Sequence, residues 1–143
     1  MRCLPLLLII AFVFFVAAEM AEGKIEFLTR CPKCSADNPK EADGSYKDLC
    51  TKCRYSLAVY PEDKGPDKVD TASFPAEMQE SYKLFAARCS KCHTLARPIN
   101  TRKSAAEWKT YVIKMVRKPG SGITLDVGLK VLQFLEYTQK QKK

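Results

Sequence analysis

The motif Cys89-Ser90-Lys91-Cys92-His93 constrains the fold of this chain more than any other feature of the sequence. Cys-x-x-Cys-His is the spacing that attaches c-type haem, because two thiols three positions apart reach both vinyl groups of one porphyrin and the adjacent imidazole can ligate its iron. His93 is also the only histidine of the chain. The motif therefore predicts one covalent haem c, with thioether bonds from Cys89 and Cys92 and with His93 as the proximal iron ligand.

The N-terminus predicts export. Met1-Arg2 supplies a basic start, and the run from Leu4 to Ala18 is almost wholly apolar. Because this run is shorter than the roughly 20 residues that span a bilayer, residues 1–18 are interpreted as a secretory signal peptide, with an uncleaved membrane anchor as the alternative. We therefore expect a periplasmic or extracytoplasmic protein, which is where c-type haem is attached in bacteria.

Charge and proline content divide the rest of the chain into two modules. Residues 19–75 carry 9 basic and 11 acidic side chains, whereas residues 76–143 carry 14 basic and 5 acidic ones. The change falls within residues 61–75, where three prolines and a glycine predict a linker. We expect a first module at residues 24–60 and a second module at residues 76–143.

Helical patterns fill the second module. The apolar spacing of residues 76–88 predicts a helix that leads directly into the haem motif. Ser104 and Glu107 form a capping box, which predicts a second helix that ends near Lys118, before a Pro-Gly pair. Thr124 is the predicted cap of a third helix with an apolar stripe.

The distal iron ligand is predicted to be a methionine, since the chain has no second histidine and a thioether pairs well with imidazole on haem iron. Met78 lies on the helix before the motif and is assigned to core packing. Met115 shares a helical face with Trp108 and Val112. We therefore expect Met115 as distal ligand and the other two in the haem pocket, although the same spacing also suits an ordinary core stripe.

Three stretches of the second module together resemble a small class I monohaem cytochrome c. They precede the motif, form the middle helix and close the module: Phe85-Ala86-Ala87-Arg88, Trp108 with Met115, and Leu132-Gln133-Phe134-Leu135. The resemblance covers roughly residues 76–143 and implies a mainly α fold, with three or four helices around the haem and a crossing of the first and last helices. It departs from the family at Ser81, where a glycine is common, and serine there implies a wider crossing.

The first module carries its own cysteine pattern. Cys31-Pro32-Lys33-Cys34 and Cys50-Thr51-Lys52-Cys53 are separated by fifteen residues, which is the spacing of a four-cysteine metal site. The flanking segments 25–28 and 55–59 alternate like short strands. Together these features resemble a zinc ribbon and predict a small β module at residues 24–60 with four metal ligands: Cys31, Cys34, Cys50 and Cys53.

Three chemistries suit these four cysteines. Structural zinc is the first choice, iron in a rubredoxin-like site is the second, and two disulfides are the default of an oxidising compartment. Ribbons usually place glycine after the second cysteine of each pair, whereas this chain has Ser35 and Arg54 there. We therefore expect a less regular site.

These features predict an electron carrier rather than an enzyme: an exported monohaem protein that moves single electrons between redox partners, alone or as the cytochrome subunit of a membrane-associated complex. The first module would serve structure or docking. A basic second module favours an acidic docking face on the partner, or only solubility, and no nucleic acid is expected. The candidate docking residues are Lys83, Lys91, Arg97 and Lys114.

Two other functions fit the same residues. One is a membrane-anchored basic interaction protein in which all three Cys-x-x-Cys pairs bind metal. The other is a haem sensor or enzyme in which Met115 yields to a small ligand.

Overall fold

The computed structural model describes residues 24–142, so the predicted signal peptide at residues 1–18 lies outside the described residues. The described part is mainly α, with a small sheet of two strands, as predicted. In chain order its elements are β1 (Glu26–Phe27), β2 (Ala58–Val59), a 3-10 helix (Pro61–Lys64), α1 (Ala76–Cys89), α2 (Ala96–Asn100), α3 (Ala105–Arg117) and α4 (Leu125–Gln141). Within residues 24–142, no helix combines the length and the apolar character needed to cross a bilayer.

The starts of α3 and α4 are fixed by the caps that the sequence predicts. The Ser104 hydroxyl accepts a hydrogen bond from the backbone N–H of Glu107, and the Glu107 carboxylate accepts one in return from the backbone N–H of Ser104 at 2.7 Å. Thr124 likewise accepts from the backbone N–H of Val127. Such caps satisfy backbone donors that have no partner inside the first turn.

The main core lies where α4 packs against both α1 and α3. Phe85 of α1 and Phe134 of α4 are completely buried, with ring centroids 5.1 Å apart. Trp108 of α3 is 2% exposed, and its Nε1–H donates to Oε1 of Gln139 at 2.8 Å. Aromatic burial of this kind supplies much of the packing energy of a small helical core.

Two small residues shape the helix contacts. A Cβ atom on Gly128 of α4 would lie 2.6 Å from Cγ2 of Val116, so α3 and α4 approach too closely for any larger residue to fit without movement. Ser81 of α1 is 1% exposed, and its Oγ has no hydrogen-bond partner among the described residues.

A second, smaller core supports the sheet. β1 and β2 pair antiparallel, with Glu26 opposite Val59 and Phe27 opposite Ala58. The buried residues next to this sheet are Cys31, Cys50 and Leu57. The predicted short strands are therefore present, although each is only two residues long.

The segment at residues 61–75 contains more structure than its composition predicts. It begins with the 3-10 helix, which packs against α2. Further along, Val69 and Phe74 pack against the helical core, and the Phe74 ring meets the Tyr137 ring edge-on at 5.0 Å. This segment therefore contributes contacts to the second module as well as connecting the two.

Candidate haem cleft and metal centre

The four cysteines of the first module form one cluster. Their Sγ atoms all lie within 4.8 Å of one another, and the Cys31–Cys53 and Cys34–Cys50 pairs are each separated by 3.5 Å. A tetrahedral zinc with Zn–S bonds of about 2.3 Å places its sulfurs about 3.8 Å apart, whereas a disulfide needs about 2.05 Å. The cluster thus has the geometry of a site that could hold a metal ion such as zinc.

The two cysteine pairs are built alike. The backbone N–H of Ser35 donates to the carbonyl of Cys31, and that of Arg54 donates to the carbonyl of Cys50, both at 2.9 Å. Ser35 and Arg54 have φ angles of 57° and 63°, in the left-handed region that favours glycine. The irregularity expected from the missing glycines is therefore not observed, because both residues adopt the required turn at a cost in strain.

The environment of the cluster favours cation binding. A backbone hydrogen bond from Cys53 is the main reason that the pKa of Cys50 is lowered to about 6, despite the opposing effect of burial. At Cys53 the backbone N–H of Tyr55 lowers the pKa, but burial and the neighbouring thiols together raise it to about 12. Four sulfurs that cannot all ionise side by side are stabilised when a metal ion replaces their protons.

The second module brings the predicted haem residues around adjoining spaces. Cys89, His93, Val112 and Met115 line a small enclosed cavity of about 20 Å³, whose exposed lining is entirely apolar. We call this the apolar cavity. Cys89 ends α1, Val112 and Met115 come from α3, and α2 and α4 complete the lining, so the cavity lies between these helices and the loop that carries His93.

A larger opening adjoins the apolar cavity, since His93 and Met115 line both. This main cleft has a volume of about 790 Å³ and includes Cys92 in its wall. The opposite wall comes from the first module, through Ser56 and Ala58. Cofactor pockets span roughly 300–1,000 Å³, so the main cleft offers room for a porphyrin whereas the apolar cavity alone does not.

Trp108 lines a third space, which adjoins the other two at His93 and Met115. This cleft has a volume of about 370 Å³ and also includes Tyr111. The six residues predicted at the haem site are distributed over these three adjoining spaces, and of the six only His93 and Met115 line all three: Cys89, Cys92, His93, Trp108, Val112 and Met115. The donor set, two thiols with an imidazole and a thioether, is chemically suited to haem c.

The imidazole of His93 is oriented by its neighbour. Its Nδ1 lies 2.7 Å from the carbonyl oxygen of Thr94, so Nδ1–H donates there and Nε2 keeps its lone pair. Burial lowers the pKa of His93 below its usual value, which favours the neutral ligand form. Burial also raises the pKa of the Cys89 thiol to about 12, so this residue is protonated near neutral pH.

Arg97 does not lie on the exposed docking surface that the sequence predicts. Its side chain is 20% exposed and forms a 2.7 Å ion pair with Asp63, whose side chain is only 6% exposed. Arg97 also donates to the carbonyl of Ala58 in β2 at 2.8 Å. By contrast, Lys83, Lys91 and Lys114 are exposed, as predicted. The sequence does not predict this ion pair, because Asp63 and Arg97 are 34 residues apart and lie in two different segments.

The two modules meet at the Cys-x-x-Cys-His motif. The backbone N–H of Ser56 donates to the carbonyl of Cys92 at 2.7 Å, and Nζ of Lys33 donates to the carbonyl of Lys91 at 2.6 Å. Cys53 and Cys92 line one further cleft of about 380 Å³ between the modules. The cysteine cluster and the candidate haem cleft are therefore neighbours.

Comparison with known protein families, with curated proteins and with solved structures finds no match to this chain.

Proposed function

We propose that the chain is an exported monohaem c-type cytochrome that passes single electrons between protein partners. The observation that carries this proposal is the convergence of Cys89, His93 and Met115 on the apolar cavity, with Cys92 in the wall of the adjoining main cleft. These residues come from α1, from the loop after it and from α3. The Cys-x-x-Cys-His motif by itself does not require Met115 of α3 to lie next to it. The packing of the first helix against the last also agrees with the resemblance.

Each residue has a distinct part in this proposal. The thiols of Cys89 and Cys92 would hold the haem through thioether bonds, and Nε2 of His93 and the thioether of Met115 would ligate its iron. Haem, when bound, supplies a one-electron Fe(III)/Fe(II) couple. Val112 of α3 is buried beside the cavity, so it excludes water and favours the less charged oxidation state.

Covalent attachment of haem would also stabilise the second module. The second module, residues 76–143, has 68 residues and too small a core to be very stable, and domains of this size commonly need a metal or a covalent link. Two thioether bonds and two axial ligands would tie α1, the motif loop and α3 to one rigid group. The four-cysteine site, with zinc as the favoured metal, would stabilise the first module in the same way.

The charge around the main cleft supports a protein partner with an acidic face. Lys114, Arg117 and Lys118 line this cleft, while Asp48 is its only acidic lining residue among the described part of the chain. Such a local excess of positive charge accelerates the encounter with an acidic surface and weakens as salt is added. For an exported redox protein, the partner that fits this charge is a redox protein or a membrane-associated complex with an acidic face.

Replacing each of the two helical methionines tests the proposed ligand set. In full-length protein secreted with the c-type maturation machinery, Met115→Ala should remove the methionine–iron charge-transfer band and let the reduced protein bind carbon monoxide. Met78→Ala, the matched control on α1, should keep the band and exclude carbon monoxide. Wild-type protein that itself binds carbon monoxide would instead support the sensor or enzyme alternative.

A further inference from the structure

The ion pair between Asp63 and Arg97 lies at the junction of the two modules. Nη2 of Arg97 lies 2.7 Å from Oδ2 of Asp63, and Nε of Arg97 lies 3.1 Å from the same oxygen. Exposure of the Asp63 side chain is only 6%. A charge withdrawn from water to this degree is costly unless a partner and further hydrogen bonds compensate it.

Asp63 is connected to the proximal histidine through a single residue. The Thr94 hydroxyl donates to Oδ1 of Asp63, and the Thr94 carbonyl accepts from Nδ1–H of His93 at 2.7 Å. Thr94 is therefore held by its side chain while its main chain orients the imidazole. Outer hydrogen bonds of this type fix the tautomer and the orientation of a metal-binding histidine.

Arg97 holds the other side of this arrangement. Its guanidinium lies 4.3 Å from the centroid of the Tyr60 ring and donates to the carbonyl of Ala58. Together with His93 it also lines the main cleft. The planar fork of arginine can make all these contacts at once, whereas lysine cannot.

We propose that Asp63 and Arg97 are positioning residues for His93 and that the balance between their opposite charges keeps the reduction potential of the iron from shifting up or down. This inference rests on the proposed function, because it needs a haem iron next to His93. The pair has no net charge while it is intact. Loss of either partner leaves one buried charge near the haem iron. The charge of that iron falls by one when it accepts an electron, so the buried charge favours one oxidation state over the other.

Single substitutions should move the reduction potential in opposite directions. Asp63→Asn leaves the positive charge of Arg97, which favours Fe(II) and raises the potential. Arg97→Gln leaves the negative charge of Asp63, which favours Fe(III) and lowers it. We expect each change to alter the Fe(III)/Fe(II) equilibrium about tenfold, which is about 59 mV for a one-electron couple. The double variant should return towards wild type.

Two control variants separate charge from structure. Glu26→Gln breaks the ion pair with Lys64, in which both side chains are at least 60% exposed, and it should change the equilibrium less than about twofold. Arg97→Lys keeps the charge but loses the planar fork, so its potential should stay near that of wild type. If Asp63→Asn and Arg97→Gln shift the potential in the same direction, or no more than Glu26→Gln does, the proposal is overturned.

A haem-free readout tests the positioning of His93 independently. Nitrogen NMR of the imidazole can be measured on full-length protein that carries zinc in the four-cysteine site but no haem. Wild type should show the Nδ1–H tautomer, and Asp63→Asn should show a mixture of tautomers. An unchanged tautomer in Asp63→Asn would contradict the positioning role. If wild-type protein attaches no haem under maturation conditions, the proposed function itself fails. If haem attaches but the reduction potentials of the Asp63 and Arg97 variants do not move, only the present inference fails.

Discussion

Replacement of Ser81 with alanine should make the full chain more stable. Ser81 is 1% exposed, and its hydroxyl has no partner among the described residues. A buried hydroxyl without a hydrogen bond costs about 1–3 kcal/mol, and alanine gains about 0.5 kcal/mol in helix propensity over serine. A small void left by the missing oxygen offsets part of this gain. We therefore expect the free energy of unfolding to rise by about 1–2 kcal/mol.

Urea denaturation monitored by circular dichroism measures this change directly. The midpoint should rise in Ser81→Ala while the dependence on denaturant stays constant, since the folded surface is unaltered. Thr110→Ala on α3 is the matched control, because Thr110 is exposed and its replacement removes only a solvent-exposed hydrogen bond to the carbonyl of Ala106 and changes helix propensity by about 0.5 kcal/mol. If Ser81→Ala is no more stable than this control, the hydroxyl is satisfied in solution and the reasoning is wrong.

Changes at the cysteine cluster and at Asp63 should also be measurable. Ser35→Gly and Arg54→Gly should each raise the free energy of unfolding by about 0.5–1 kcal/mol, because relief of left-handed strain outweighs the added backbone entropy; a decrease in calorimetry would contradict this. A strong zinc chelator should remove hydrogen-exchange protection from residues 24–60, and retained protection would show that the module folds without metal. Burial opposes ionisation of Asp63, yet hydrogen bonds from Arg97 and Thr94 keep its pKa below the ordinary value of 3.8. The stability it adds is present above about pH 4 and is lost as the pH falls through the lowered pKa, so acid should destabilise wild type more than Asp63→Asn. Equal acid titrations of unfolding free energy would refute this.

The helix boundaries were predictable because their causes are local. The Ser104–Glu107 box and the Thr124 cap act over three residues, so the sequence alone contains the complete interaction. The short helix α2 was not predicted separately. It has only five residues and includes Pro98, and its buried Ala96 and Ile99 depend on packing from elsewhere in the chain.

The candidate sites were predictable to the extent that spacing determines them. The Cys-x-x-Cys pairs and the helical face shared by Trp108, Val112 and Met115 place ligands by short-range geometry. The hydrogen bond from Ser56 to Cys92 and the pair between Asp63 and Arg97 join segments more than 30 residues apart. Such contacts form only when the two modules pack together, so no local sequence pattern predicts them.

The proposed function requires that the cysteines and histidine of the motif hold haem rather than another metal. An absorption spectrum of oxidised and reduced full-length protein, secreted with the c-type maturation machinery, tests it most directly, with zinc and iron measured on the same sample. We predict sharp α and β bands on reduction, one covalent haem per chain and about one zinc in the four-cysteine site. A folded, colourless protein would contradict the account and would assign Cys89, Cys92 and His93 to another metal or to a disulfide.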